Sequence, residues 1–388
     1  MALGNQTFGF MIPSYSLMGV GCSDQVGAQA KSLGATNILL VTDKVLNKLG
    51  MADKIKAQLV EAGMKVTIFD GADANPKDIN IVAGLEVYKN NKCDGIVTLG
   101  GGSSHDCGKG IGIVAGNGGK ISDYEGFGIV PKPMPPLIAI NTTAGTGSEL
   151  SGGCVITNTT THVKMAIIDV HAVPTVGIND PLLMVGMPPA LTASTGMDAM
   201  THAVEGYVAN FANPLTECLD LQAIRLVNDY LPAAVANGQN VVARDKMAYA
   251  EWIAGSTMCN AGLGLVHGMA HQLGGFYNLP HGVCNAILLP VVCDFNLIAC
   301  PQRFADIAVA LHQDITGLDA FEAGQKGIAA IRRLSKSIGI PASLSELGPV
   351  KESDFETLAP NALKDVCTFF NPRVATLKEV VGMYKAAM

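Results

Sequence analysis

The chain has 388 residues, of which 48% are hydrophobic and 15% charged, and its 26 basic and 33 acidic side chains leave a net charge of −7. This length exceeds what one hydrophobic core usually fills, so two domains are expected. A mildly acidic chain without a basic tract argues against nucleic acid and anionic membranes as partners. The apolar composition predicts either a large core or surface hidden in subunit contacts, and it favours a homo-oligomer, a dimer or larger.

Apolar runs and cysteines predict where the protein is located. The longest apolar stretches, such as residues 286–293, are too short to span a bilayer. No Lys or Arg precedes Lys31, so the positively charged start of a secretory signal is missing. The ten cysteines are scattered without a CxxC pair, which is typical of reduced thiols in a core. A cytoplasmic protein is therefore predicted.

The first part of the chain alternates short β-branched runs with helical patterns, which is typical of a parallel α/β sheet. Strands are predicted over 37–42, 66–69, 95–99 and 137–140, with helical patterns over 51–62 and 76–90. Further runs at 154–157, 165–169 and 175–178 predict a hairpin and a return strand.

Beyond Asp180-Pro181 most segments have a period near 3.6, which indicates helices. They are predicted over 191–208, 214–230, 244–259, 301–311, 321–338 and 376–388. The pattern predicts an α/β domain over residues 1–185 and an all-α domain over residues 186–388.

Two loops at the carboxyl ends of predicted strands have the composition of a nucleotide site. Residues 99–106 read Leu-Gly-Gly-Gly-Ser-Ser-His-Asp and open a helix, where unhindered N–H groups can cradle a pyrophosphate. Residues 141–148 read Asn-Thr-Thr-Ala-Gly-Thr-Gly-Ser, and two such loops favour a ligand above the sheet edge. The spacing is not GxGxxG, however, and a tight turn that merely needs glycine explains the first loop equally well.

Asp43 ends the first of these predicted strands. A carboxylate there could accept hydrogen bonds from an adenosine ribose and repel a 2′-phosphate, which favours NAD over NADP. The alternative is an aspartate that caps the next helix, and this is at least as common.

Three of the eight histidines, His267, His271 and His281, fall within fifteen residues. His202 follows Asp198 by four residues, and His267 and His271 have the same spacing, so each pair shares a helix face. One carboxylate with imidazoles suits Fe²⁺ or Zn²⁺. A core histidine beside a surface aspartate is the alternative for the first pair. Spacing leaves open whether His271 is a ligand or a neighbouring acid–base group.

Several motifs occur together and in order along the chain. They are Gly-Gly-Gly-Ser-Ser-His-Asp at 100–106, Asn-Thr-Thr-Ala-Gly-Thr-Gly-Ser-Glu at 141–149, Gly-Met-Asp-Ala-Met-Thr-His at 196–202, Gly-Leu-Val-His-Gly-Met-Ala-His at 264–271, Asn-Leu-Pro-His-Gly-Val-Cys-Asn-Ala-Ile-Leu-Leu-Pro at 278–290 and Asn-Pro-Arg at 371–373. Over essentially its whole length the chain resembles the iron-containing (group III) alcohol dehydrogenase family. The likeness is greatest to the branch of 1,3-propanediol, methanol and ethanol dehydrogenases.

The resemblance implies an N-terminal dinucleotide-binding α/β domain and a C-terminal metal-binding domain, the dehydroquinate synthase-like fold. It implies that Asp198, His202, His267 and His281 bind the metal, Fe²⁺ or alternatively Zn²⁺ or another divalent ion. It also implies that His271 is a catalytic residue near the nicotinamide. The positions that match NAD contacts are Asp43, Asn75, Gly102, Ser103, Ser104, His105, Asp106, Thr142, Thr143, Thr146 and Lys164.

The function expected from this resemblance is reversible hydride transfer between NAD and a small primary alcohol or diol, with the aldehyde as the other substrate. Leu-Ser-Gly-Gly at 150–153, Met-Cys-Asn at 258–260 and Val291 depart from the family pattern. The first two are expected to border the substrate pocket, so the resemblance does not identify which alcohol is the substrate. The alternatives are a non-redox metal enzyme on the related scaffold and a catalytically silent NAD-binding protein.

Overall fold

The computed structural model describes residues 8–11, 15–161 and 163–388. These residues form two compact units, one of residues 15–184 and one of residues 185–388 together with 8–11. The side chain of Asn260 attaches the N-terminal segment to the second unit, because it exchanges hydrogen bonds of 2.6 and 2.8 Å with the backbone of Met11. Within these described ranges, no helix combines the length and the apolar character needed to cross a bilayer.

The first unit is built on a six-stranded parallel sheet in the order β1-β9-β6-β4-β2-β3, with a three-stranded sheet β5-β8-β7 beside it. The strands are β1 Ser16–Met18, β2 Asn37–Val41, β3 Lys65–Phe69, β4 Gly95–Gly100, β5 Gly126–Phe127, β6 Leu137–Asn141, β7 Gly153–Thr157, β8 Lys164–Ile168 and β9 Val176–Asn179. The order of the large sheet reverses between β2 and β4, because β3 lies on one side of β2 while β4, β6 and β9 follow on the other.

Helices cover both faces of the large sheet, which explains why its strands read as continuous apolar runs. The helices of this unit are α1 Val26–Ser32, α2 Lys44–Lys48, α3 Met51–Glu61, α4 Asp78–Asn90 and α5 Gly102–Asn117. Neighbouring residues of a strand point to opposite faces. Accordingly Leu39 and Ile96 belong to one core, and Leu40 and Val97 belong to the other.

The second unit is helical in its described residues. Its helices are α6 Pro189–Val208, α7 Pro214–Ala236, α8 Val241–Ala261, α9 Leu265–Tyr277, α10 His281–Leu297, α11 Pro301–Ala310, α12 Ala320–Ser337, α13 Phe355–Lys364 and α14 Leu377–Ala386. α6 packs against α7, α8 and α10 and is buried from Gly196 to Val208. The starts of α7, α12 and α14 carry reciprocal capping boxes, which explains why these helices begin where they do.

The predicted α/β and helical regions are confirmed, including the hairpin of β7 and β8 and the return strand β9. α7 extends to Ala236, beyond the predicted end at residue 230, because Pro232 lies inside the helix instead of ending it. The bounds of α9 and α10 were not predicted; α10 is buried along most of its length and therefore gives a weak amphipathic signal.

Candidate metal centre and cofactor loops

Asp198, His267 and His281 bring three possible ligand atoms within 4.8 Å of one another. Asp198 Oδ1 lies 3.9 Å from His267 Nε2 and 3.6 Å from His281 Nε2. The three side chains come from different helices, with Asp198 on α6, His267 in the first turn of α9 and His281 as the first residue of α10. One carboxylate with imidazoles suits Fe²⁺ or Zn²⁺, so the residues present fit a divalent ion.

His202 lies beside this cluster, one turn of α6 after Asp198. Its Nε2 is 4.0 Å from Asp198 Oδ1, and its ring stacks on that of His267 with centroids 4.8 Å apart. The structure therefore brings all four side chains that the resemblance implies as ligands into one neighbourhood, with His202 at its edge.

Burial controls the protonation of the cluster. It lowers the pKa of His267 well below its usual value, and the neighbouring His202 and His281 act in the same direction. A neutral imidazole has the free lone pair that a metal ligand needs. Burial also raises the pKa of Asp198, while His202 and the amide of Asn285 favour its ionised form.

His271 lies one turn after His267 on α9, next to the cluster. Its ring stacks on that of His281 with centroids 5.3 Å apart, and its Nδ1 is 2.9 Å from Asp365 Oδ2. Burial acts to raise the pKa of Asp365, but the charge and the hydrogen bond of His271 hold it below its usual value. A partly exposed imidazole that a carboxylate holds in one orientation can serve as a general acid or base.

Cys367 lies near His271 and Asp365, close enough for the three to form a second group of possible ligands. Burial and the negative charge of Asp365 raise the pKa of the Cys367 thiol well above its usual value. Because the thiolate is the metal-binding form, this arrangement favours the His271–Asp365 hydrogen bond over a second ion.

Sequence reasoning missed residues that contact the cluster. Asn285 Nδ2 lies 2.7 Å from Asp198 Oδ1 and 3.1 Å from Nε2 of both His267 and His281. Glu205 Oε2 lies 2.5 Å from His267 Nδ1. Helical spacing could have identified both, because Asn285 follows His281 by four residues and Glu205 follows Asp198 by seven.

The two glycine- and threonine-rich loops leave neighbouring parallel strands. Gly100 at the end of β4 is paired with Asn141 at the end of β6, so both loops start at the same sheet edge. Asp43 follows β2 at that edge, next to the point where the strand order reverses. Open α/β sheets bind their ligands at such a position, outside the carboxyl ends of the strands.

The two loops lie against each other. A Cβ atom on Gly101 would stand 2.9 Å from the Thr143 side chain, and one on Gly102 would stand 3.0 Å from that of Thr146. Close packing of the loops therefore requires glycine in the first of them. This packing agrees with the tight-turn explanation of the glycines. The backbone N–H groups at the start of α5 lie at the same edge, where an anion could accept hydrogen bonds from them.

Asn75, Ser103 and Lys164 are brought together although they are far apart in sequence. Ser103 Oγ donates to the carbonyl oxygen of Ala74 at 2.6 Å, and Lys164 Nζ donates to Asn75 Oδ1 at 3.1 Å. Three of the predicted NAD contacts therefore share one surface beside the start of α5.

Other predicted NAD contacts have structural partners of their own. His105 is buried, with Nδ1 2.7 Å from Thr98 Oγ1, and burial lowers its pKa to about 3. Asp106 accepts hydrogen bonds from Ser148 Oγ at 2.7 Å and from the Val155 N–H at 3.1 Å. Ser104 and Thr142 are also buried.

Asp43 is the N-cap of α2. Its Oδ1 accepts hydrogen bonds from the N–H groups of Val45 and Leu46 at 2.7 and 2.9 Å. The capping alternative considered for this residue is therefore observed, and it occupies one of the two carboxylate oxygens.

Comparison with known proteins identifies the class of protein to which this fold and cluster belong. A family model described as iron-containing alcohol dehydrogenase matches residues 13–181. A second, described as the C-terminal part of the Fe-containing alcohol dehydrogenase family, matches residues 192–388. The chain belongs to the iron-containing alcohol dehydrogenase family, as its motifs implied.

Individual relatives cover almost the whole chain. It is 51% identical to a 1,3-propanediol dehydrogenase of Klebsiella pneumoniae, with 98% of each chain covered. It is 48% identical to an NAD-dependent methanol dehydrogenase of Bacillus methanolicus, covering 98% of this chain and 99% of the relative. The crystal structure of a 1,3-propanediol oxidoreductase matches with a TM-score of 0.97 at 51% identity, over 99% of this chain and all of the other. The predicted fold class is confirmed.

Proposed function

We propose that this protein is an NAD-dependent alcohol dehydrogenase that transfers hydride reversibly between NAD and a small primary alcohol or diol. The observation that carries the proposal is the convergence of Asp198, His267 and His281 on one point, with His271 beside them. The names of the relatives, which include 1,3-propanediol and methanol, support this substrate class, to which ethanol also belongs, and one of those names supports NAD. A non-redox metal enzyme is not favoured, because these relatives are dehydrogenases.

Asp198, His202, His267 and His281 would hold the metal. Iron, as Fe²⁺, is the ion that the family name supports, and Zn²⁺ or another divalent ion is the alternative. A bound divalent ion supplies positive charge that lowers the pKa of an alcohol hydroxyl and polarises an aldehyde carbonyl.

His271 would move the proton of the reaction. Oxidation of an alcohol by NAD⁺ gives an aldehyde, NADH and one proton, and that proton needs an acceptor. Asp365 accepts the hydrogen bond from His271 Nδ1, which leaves Nε2 to take the proton and pass it to solvent. In the reverse direction the same imidazole would return a proton to the product oxygen.

We propose that NAD binds at the carboxyl edge of the large sheet. The N–H groups at the start of α5, from Gly102 onwards, would receive the pyrophosphate. The remaining contacts are proposed from the family likeness, at Asp43, Asn75, Ser103, Ser104, His105, Asp106, Thr142, Thr143, Thr146 and Lys164. Asp43 would use Oδ2 for the ribose, since Oδ1 caps α2.

The other expectations from the sequence stay predictions. They are the two folding domains at residues 1–185 and 186–388, the homo-oligomer and the cytoplasmic location.

The test is NADH formation by the purified protein with a panel of primary alcohols and diols. The protein is first stripped of metal and then reconstituted anaerobically with Fe²⁺ or Zn²⁺, and the stripped protein serves as the control. We expect NADH absorbance to rise only after reconstitution and only with alcohols. Stoichiometric metal binding without NADH formation from any alcohol would refute the proposed reaction.

A further inference from the structure

We propose that Glu205 is a positioning residue that fixes the ring proton of His267 on Nδ1, so that the lone pair of Nε2 faces Asp198 and His281. The inference rests on the metal site proposed above, and it adds to that site a residue that is not a ligand.

Glu205 lies on the face of α6 that carries the cluster. Asp198, His202 and Glu205 follow each other at intervals of four and three residues, so their side chains lie on the same face of the helix. Glu205 is 3% exposed and His267 is 1% exposed. Glu205 Oε2 and His267 Nδ1 are 2.5 Å apart, so the two side chains share a short hydrogen bond away from water.

The second carboxylate oxygen fixes the orientation of Glu205. Oε1 accepts a hydrogen bond from the backbone N–H of Val266 at 2.7 Å. α9 begins at Leu265, and Gly264 at its N-cap has no side chain with which to bind the first N–H groups. The Glu205 carboxyl group from α6 takes that role. Burial raises its pKa to about 8, while the N–H groups at the start of α9 favour its ionised form, as a helix N-terminus does for a negative charge.

The hydrogen bond to Nδ1 determines which nitrogen of His267 can bind a metal. A neutral imidazole carries one ring proton. With the carboxylate accepting from Nδ1, the proton stays there and Nε2 keeps its lone pair. Nε2 is also the atom that lies 3.9 Å from Asp198 Oδ1. Carboxylates that fix the tautomer of a metal-binding histidine in this way raise metal affinity.

Glu205→Gln separates this role from helix capping. Glutamine has the same size, and its Oε1 can still accept from the Val266 N–H. Its amide NH₂ then faces His267 Nδ1 and donates to it, which favours the ring proton on Nε2 and weakens metal binding. A purely structural Glu205 would tolerate this substitution, whereas a positioning residue would not.

Affinity for Zn²⁺ and Co²⁺ is measured by competition with a chromophoric chelator, and the visible spectrum of Co²⁺ reports its coordination. We expect Glu205→Gln to weaken binding by about 10- to 100-fold and to alter the Co²⁺ spectrum, with unchanged circular dichroism. The matched control is Asp220→Asn, because Asp220 is another buried carboxylate that faces α6, at Gly206, the residue after Glu205. This control is expected to bind metal as the wild type does.

Wild-type affinity in folded Glu205→Gln would overturn the inference while leaving the metal site intact. Failure of the wild type itself to bind an ion would instead refute the proposed function. If Glu205→Gln does not fold, ¹⁵N-histidine NMR of the Zn²⁺-loaded wild type decides, with the His267 signal assigned by its loss in His267→Asn. A proton on Nδ1 and zinc on Nε2 support the inference, and the opposite arrangement overturns it.

Discussion

Gly282 of α10 lies against the carbonyl oxygen of Ser194 in α6, so closely that a Cβ atom at Gly282 would stand 2.3 Å from that oxygen. Only a residue without a side chain permits this approach of the two helices. His281 precedes Gly282, and Asp198 follows Ser194 by one helical turn. The contact therefore sets the separation of two proposed metal ligands.

Gly282→Ala should weaken metal binding and destabilise the fold, because the added methyl group forces the start of α10 away from α6. A clash of this kind costs about 1–3 kcal/mol. Urea unfolding and metal titration measure the two effects. The control is Gly382→Ala in α14, where a Cβ atom would meet no other atom within 4 Å, so it should be neutral or slightly stabilising. Equal behaviour of the two variants would contradict this account.

Replacement of a proposed ligand should abolish turnover together with metal binding. His267→Ala and His281→Ala each remove one imidazole from a cluster that has few donors to spare. Metal content by atomic emission, measured after dialysis, is expected to fall in both variants. Full occupancy in either variant would show that the altered histidine is not a ligand.

His271→Ala and Asp365→Asn should keep the metal and lose rate. His271 is proposed to carry the proton, and Asp365 only orients it through Nδ1. We expect turnover to fall by about 10²- to 10⁴-fold in His271→Ala, the range of a lost general base. Steady-state kinetics over pH and metal analysis test this prediction. Metal loss as large as in His267→Ala would make His271 a ligand.

His105 should destabilise the protein in acid. Its folded-state pKa of about 3 lies below the usual 6.5, so between these values the unfolded chain binds a proton that the folded protein cannot. Stability therefore falls as pH falls through this window, by up to about 1.4 kcal/mol per pH unit. Urea unfolding of wild type and His105→Gln at about pH 7 and about pH 5 measures the loss in free energy of unfolding. This loss should be smaller in the variant. An identical loss would show that His105 does not titrate in this way.

Asp43→Gly should shift cofactor preference towards NADP. A carboxylate about 4 Å from a 2′-phosphate is worth ~4 kcal/mol at an effective dielectric of ~20, and a third of that after screening is about tenfold in affinity. Glycine is tolerated at an N-cap at a cost of a few tenths of a kcal/mol. Asp319→Gly, which removes the N-cap of α12, is therefore a matched control. The ratio of kcat/KM for NAD and NADP should change only in Asp43→Gly, and an unchanged ratio would leave Asp43 as a cap alone.

The sequence predicted the elements whose patterns are local. The buried strands β2, β4 and β6 were predicted from continuous β-branched runs, and the pairs Asp198–His202 and His267–His271 from i, i+4 spacing. Packing between distant segments gave no such signal. Asp365 reaches His271 across 94 positions, and no pattern near either residue relates them.

The interpretation of Asp43 shows a different limit of sequence reasoning. A carboxylate at the end of a strand fits both a ribose contact and a helix cap, because both need the same acceptor at the same place. The structure shows that Oδ1 accepts the hydrogen bonds that cap α2. His105 was similarly placed in a ligand loop by its sequence, whereas its ring points into the core against Thr98.

The buried part of α6 tolerates few amino-acid substitutions. Every residue from Gly196 to Val208 is buried, so a substitution in this stretch must be compatible both with tight packing and with the proposed metal centre. Substitutions in this part of α6 are therefore a restricted route to a different alcohol specificity. Residues 258–260, which depart from the family pattern, are less buried and can accept substitutions more readily.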